Sequence, residues 1–183
     1  MANEFEMLCR LDHPNIVKLY DIYDDDHNLY VVTELCEGGD LLRFLNNRRV
    51  SEAMMRSVMV QVLSALKYMH SFRILHRDIK LENIVLVDSV NDGEKINVKI
   101  IDFGISLQLT SIPQEEEPQG TLLYMSPESL NRRVTLETDV WSCGVTLYMM
   151  ATHSVPYKYS SEGELMGHIR NGKINRLSNH SFM

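Results

Sequence analysis

The sequence predicts an α+β protein whose strands gather near its beginning and whose later part is mainly helical. Three observations carry this reading. Two β-rich runs, IVKLYDIY at 16–23 and LYVVTEL at 29–35, are separated only by the acidic turn at 24–28, as in a hairpin. From Ser51 onward, apolar residues recur at three- and four-residue steps, the period of a helix with one buried face. A mostly apolar stretch around 139–151 has the length of a second buried helix.

Each element has local punctuation. Residues 3–11 read as a helix end with Phe5, Leu8 and Leu11 on one face, broken by His13-Pro14-Asn15. After the hairpin, Gly38-Gly39 ends the sheet, and Asp40 can cap a short helix containing Leu41, Leu42, Phe44 and Leu45. Met55, Val58, Met59, Val62, Leu63, Leu66 and Met69 form the stripe of the long helix. Its methionines could line an adaptable groove, but a core helix is the favoured reading. Further on, IVLV at 84–87 and INVKII at 96–101 flank a polar turn with Asp92-Gly93 at its tip. That turn fails as a calcium loop: Val90 stands where an oxygen ligand is needed, and Lys99 replaces the bidentate glutamate. An irregular stretch at 105–119 contains Pro113, Glu115, Glu116, Glu117 and Pro118. Ser161 and Glu164 make a capping box before Leu165, Met166 and Ile169.

Composition narrows the function classes. At 183 residues, 44% hydrophobic and 23% charged, the chain suits one globular domain with a sizeable core. A formal charge of −7 argues against nucleic acid as the main partner, because phosphate backbones demand clustered Lys and Arg. Neither a secretory leader nor a membrane span is expected. Cys9, Cys36 and Cys143 have the spacing of neither a zinc site nor a disulfide framework, so reduced, buried thiols in a cytoplasmic protein are expected.

The chemistry concentrates in two segments. His76-Arg77-Asp78-Ile79-Lys80-Leu81-Glu82-Asn83 lies between the long helix and a strand, and Asp102-Phe103-Gly104 follows the next strand. Phosphoryl transfer needs metal ions, a base near the acceptor hydroxyl and positive charge near the moving group. A hairpin would bring the two segments side by side, so that Asn83 and Asp102 could share Mg²⁺, with Asp78 facing the hydroxyl and Lys80 supplying charge. HRDIKLEN, DFG and the later SPE at 126–128 resemble the catalytic loop, metal-binding loop and activation-segment end of protein kinases. Asp-Phe-Gly alone means nothing; all three in order and at this spacing are very specific.

The resemblance covers essentially the whole chain and implies a two-lobed fold. Residues 1–35 would be the remnant of a β-rich small lobe and 36–183 most of a helical large lobe. It implies ATP and Mg²⁺ as cofactors and protein substrates. Asp78 would be the catalytic base, Lys80 the charge stabiliser, and Asn83 and Asp102 the metal ligands. Thr33 falls at the gatekeeper position, Glu34 and Cys36 in the adenine-binding hinge, and Asp40 where the family contacts ribose or substrate. Glu82 and Val85 join them in the nucleotide cleft. Gly120-Thr121 and Tyr124-Met125 match the substrate-docking part of the activation segment, and Asp139 begins the anchoring helix. Leu8, Leu19, His76 and Phe103 match the family's four-residue spine.

Lys80 and Thr121 imply the serine/threonine class. LDHPNIVKLY and CEGGDL are similar to calcium/calmodulin-regulated and calcium-dependent kinases, which implies a regulatory protein. Arg77 usually pairs with an activation-segment phosphate; Glu115, Glu116 and Glu117 could replace that charge, with Thr110 and Ser111 as alternative phosphosites. Glu82 and Asp40 could receive an arginine upstream of the target residue, and Leu122 and Met125 an apolar residue after it. Two departures stand out. No Gly-x-Gly-x-x-Gly loop occurs, and no strand bearing the lysine partner of Glu4 precedes it, so an incomplete domain of low activity is expected. Leu81, Leu122-Leu123 and Ser126 replace commoner residues without removing a catalytic group. The rivals are a non-catalytic kinase-like docking module and a truncated gene model.

Overall fold

The structure, a computed structural model, describes residues 9–25, 27–46, 48–89 and 96–175. Expectations for Glu4, Phe5, Leu8 and the Asp92-Gly93 turn lie outside the described residues. The first element is the expected antiparallel hairpin of β1 (Leu19–Asp24) and β2 (Leu29–Thr33), with Tyr23 opposite Tyr30. Asp25 shapes its turn: Oδ1 accepts the N–H of His27 and Asn28 at 2.8 and 2.7 Å, and Oδ2 accepts the Tyr30 hydroxyl at 3.0 Å. The strand starts later than its apolar run. Ile16 and Val17 instead enter the main core, where Ile16 bridges Ile100 and the Val17 N–H donates to the Ile100 carbonyl at 3.0 Å.

Helices follow their caps. In α1 (Leu41–Asn46) the Arg43 N–H donates to Asp40 Oδ1 at 2.8 Å. In α2 (Glu52–Ser71) the Met54 N–H donates to Ser51 Oγ at 3.2 Å. The buried stripe of α2 holds six of the seven expected residues, but Leu63 is 44% exposed and Ala65 takes its place. The reason is rotational: residue 63 lies about 100° round from Val62, outside the stripe, whereas 65 lies about 60° to the other side, within it. Behind α2, Gln61 joins three segments. Its amide nitrogen donates to the Ser57 and Ile96 carbonyls, and its oxygen accepts from Asn15 Nδ2 and the Val98 N–H.

Short antiparallel pairs complete the strand set. β3 (Ile74–Leu75) pairs with β6 (Leu107–Gln108), β4 (Ile84–Leu86) with β5 (Val98–Ile100), and β7 (Gln114–Glu115) with β8 (Arg133–Val134). Besides a small cluster of Leu75, Leu109 and Val134, two larger core clusters form among the described residues. One joins α2, the β4–β5 pair, Ile16, Val17, Leu41 and Phe103. The other joins Leu130 of α3 (Pro127–Leu130) and Tyr157 to Leu165 and Ile169 of α5 (Glu162–Arg170), with Leu122, Met125 and Trp141 packed against it. The α5 cap is the expected one: the Glu164 N–H donates to Ser161 Oγ at 3.2 Å. Trp141 belongs to α4 (Glu137–Thr152), which His153 closes in the left-handed conformation. The expectation of three buried thiols is corrected. Only Cys143 is buried, its thiol pushed up to about 12 by that burial; Cys36 is half-buried and Cys9 exposed, at the start of the described residues rather than inside a packed face.

Candidate active site

In the loop between β3 and β4, Ile79 and Leu81 are buried in the main core, Asp78 and Asn83 are buried beside them, and Lys80 and Glu82 are only partly buried. Asp139, fully buried at the start of α4, ties the loop down from below. Its Oδ2 accepts the His76 N–H at 3.0 Å and pairs with His70 Nε2 at 2.9 Å, and its Oδ1 accepts the Arg77 N–H at 2.9 Å. That grip holds Arg77 at a φ of 69°, a conformation side chains seldom adopt. His76 is fully buried against Phe103, ring centroids 5.0 Å apart, with Nε2 bonded to the Ile101 carbonyl at 3.0 Å. The expected His76–Phe103 stack on an Asp139 anchor is therefore present; Leu19 packs against the same core.

Asp78 is the hub of the cleft. Oδ2 pairs with Lys80 Nζ at 2.6 Å and accepts from Asn83 Nδ2 at 3.0 Å. Oδ1 accepts both the N–H and the hydroxyl of Thr121, at 2.9 and 2.8 Å, and Lys80 Nζ also donates to that hydroxyl at 2.8 Å. Burial alone would raise the carboxyl pKa, but the bonds from Lys80 and Thr121 together outweigh it and hold the group below the ordinary carboxylate value. Gly120 makes this closeness possible. At φ 108° its missing Cβ would lie 2.5 Å from the Arg77 carbonyl oxygen.

Four of the expected site residues, Asp78, Lys80, Asn83 and Thr121, are thus joined in one hydrogen-bonded network centred on Asp78. Asp102 stands apart from that network. It is exposed, sits at φ 64°, and accepts the Gly104 N–H on Oδ1 at 3.2 Å. The donor set suits Mg²⁺. Asn83 turns Nδ2 toward the Asp78 side chain and carbonyl, and among the described residues its Oδ1 and Asp102 Oδ2 make no hydrogen bond.

At the other end of the cleft, exposed Thr33 closes β2 opposite Leu19. Glu34 accepts the Lys18 N–H on Oε1 at 2.6 Å and pairs with Lys99 Nζ at 2.8 Å. Among the described residues, the Glu34 carbonyl and the Cys36 N–H make no backbone hydrogen bond. That leaves an acceptor and a donor of the kind an adenine edge needs. Burial, then the Glu34 charge, raises the Cys36 thiol. Val85 is buried on β4 and bridges Asp40, whose Oδ1 serves as the α1 cap. Glu82 lies on the turn Leu81–Asn83, which packs against α1; its Oε2 accepts the Tyr124 hydroxyl at 3.4 Å.

The acidic triplet separates into three roles. Glu116 Oε2 lies 3.8 Å from Arg77 Nη1, Glu117 pairs with Arg132, and Glu115 belongs to β7. Burial lowers the Arg77 pKa, and Glu116 is the first of the charges that oppose this. Sequence reasoning missed Lys99 and Gln61. Lys99 did leave a signal, a single charge in the otherwise apolar strand VKI.

Comparisons with known proteins agree with this geometry. A family profile described as "Protein kinase domain" matches residues 1–181. The chain is 38% identical over 172 residues to "Calcium-dependent protein kinase 6" of Plasmodium berghei (strain Anka), covering 93% of the chain and 11% of that protein. It is 34% identical over 175 residues to "Calcium-dependent protein kinase 5" of the same organism, covering 95% and 31%. It is also 34% identical over 174 residues to "Calcium-dependent protein kinase 4" of Plasmodium falciparum (isolate 3D7), covering 94% and 33%. The chain spans at most about a third of the length of these relatives.

Proposed function

The chain belongs to the protein kinase domain family, and on that premise we propose that its cleft transfers the γ-phosphate of ATP to serine or threonine hydroxyls of proteins. The Asp78 cluster carries this reading. A carboxylate kept ionised by Lys80 and Thr121 stands ready to take the proton of an incoming hydroxyl as its oxygen bonds to phosphorus and nucleoside diphosphate leaves. Lys80 would then stabilise charge on the moving phosphoryl group. Mg²⁺, held by Asn83 and Asp102 where bound, would neutralise phosphate charge. The Lys80–Thr121 bond supports the serine/threonine class. Thr33, the hinge at Glu34 and Cys36, and Val85 would border the nucleotide, between a small-lobe remnant at 1–35 and the large lobe at 36–183.

Glu116 is proposed to supply Arg77 with the negative charge that phosphorylation gives elsewhere, since it is the acidic residue that faces the guanidinium. Glu82 and Asp40, on packed neighbouring elements, are proposed to favour an arginine upstream of the target, with Leu122 and Met125 favouring an apolar residue after it. A regulatory protein partner and a cytoplasmic location complete the proposal. The test is radiolabel transfer to a peptide library by the purified protein. Asp78→Asn should lower kcat by about 10²–10⁴-fold while nucleotide affinity stays within about twofold. Equal turnover by the variant would refute the assignment of Asp78 as base. Glu116→Gln should lower the rate while Glu115→Gln does not.

A further inference from the structure

The loop carrying Asp78 and the turn Leu122–Tyr124 run side by side and are joined at two points. The first is the Asp78–Lys80–Thr121 cluster. The second is the bond from the Tyr124 hydroxyl to Glu82. Tyr124 is only 3% exposed, and its carbonyl accepts Ser142 Oγ of α4 at 2.9 Å, so the tyrosine is pinned at its main chain and enclosed around its ring. Glu82, only partly buried, therefore leans on a fixed donor.

We infer that Tyr124 is a positioning residue for substrate selection, its phenol fixing the Glu82 carboxylate so that Oε1 remains free to receive a cationic side chain of the protein substrate. The inference rests on the proposal that Glu82 reads a basic residue. The chemistry is consistent on both sides. The phenol has one proton to donate, and giving it to Oε2 restrains that oxygen without neutralising the carboxylate. The other oxygen then offers its lone pairs to a guanidinium or ammonium group in a set direction. Burial, and then the Glu82 charge, raise the Tyr124 pKa, so the phenol keeps the proton it donates. With the donor removed, the carboxylate would keep its charge but sample more rotamers, and ordering it would weaken cation binding.

The experiment compares two peptides that differ only in arginine or norleucine upstream of the target, assayed on the intact wild-type protein, Tyr124→Phe and Glu82→Gln. Tyr124→Phe should reduce the arginine-to-norleucine ratio of kcat/KM by about three- to tenfold, with the change in KM for the arginine peptide. Glu82→Gln should bring the ratio near one. An unchanged ratio in Tyr124→Phe, or an equal loss on both peptides, would overturn the positioning role. If wild type prefers arginine and Glu82→Gln still does, the basic-residue reading of Glu82 fails. If only Tyr124→Phe keeps the full preference, that reading stands and the inference alone falls. Unfolding midpoints of the two variants, expected to match wild type, separate either result from a folding defect.

Discussion

The β1–β2 hairpin and the segment from β3 to Asp102 are both made of short strands, yet different forces hold them. In the second, Ile84, Leu86, Val98 and Ile100 are buried together on one face of the β4–β5 pair, and Asp139, Gln61 and Phe103 brace the loops between. In the hairpin, Tyr20 is 61% exposed, and Tyr23, Tyr30, Val31 and Val32 are exposed with it. Among the described residues its attachment to the rest of the molecule runs through contacts near residues 15–19 and 34, among them the Val17–Ile100 bond, the Asn15–Ile100 bond and the Glu34–Lys99 pair. A two-stranded ribbon is marginal by itself, so these tethers decide its order. The residues proposed for catalysis therefore sit on the stiff part of the molecule and those proposed for the hinge on the soft part.

The largest effect should come from breaking the stiff part. Asp139→Ala removes a fully buried acceptor of three bonds and should cost about 3–5 kcal/mol, read by chemical denaturation, with Asp78 losing its alignment even where folding survives. Cutting a tether should be milder and local. Lys99→Met leaves Glu34 without its ion pair, at a cost of about 1–2 kcal/mol. Hydrogen exchange should then quicken at 29–35 while α2 stays protected; uniform acceleration would mean that the two regions unfold as one. The smallest effect is a pH dependence. His76 is buried, and that burial lowers its pKa against the opposing pull of Asp139. The unfolded chain then binds the extra proton, so stability is full above the ordinary value of 6.5 and falls as pH drops below it. Urea midpoints on either side of that value should show the decline, and His76→Gln should flatten it.

What was legible in the sequence was local. Caps at Asp40, Ser51 and Ser161 announced their helices because one side chain and one nearby N–H suffice. Both strand pairs followed from β-rich runs flanking polar turns. The order of the loop residues placed Asp78 with Lys80 and Asn83, since the contacts span only five positions. Long-range choices were not legible. Nothing near Gln61 shows that it serves Asn15 and Val98, and nothing in Glu115-Glu116-Glu117 singles out the middle residue. Asp40 offered two roles, and the structure shows the cap, which takes one carboxylate oxygen. The left-handed backbone at Arg77 and Asp102 was equally hidden, because glycine was the only residue whose freedom the sequence declared.

The single tryptophan gives this division an optical form. Trp141 lies on α4, packed against the cluster under Leu122 and Met125, with its indole nitrogen buried. Three of the eight tyrosines, Tyr20, Tyr23 and Tyr30, stand on the hairpin in contact with solvent. Red-edge excitation therefore interrogates one spot, the seat of the Leu122–Tyr124 turn, with no label attached. Shorter wavelengths add the tyrosines, the hairpin's among them, so a difference between the two signals during unfolding would time the hairpin against the seat of that turn.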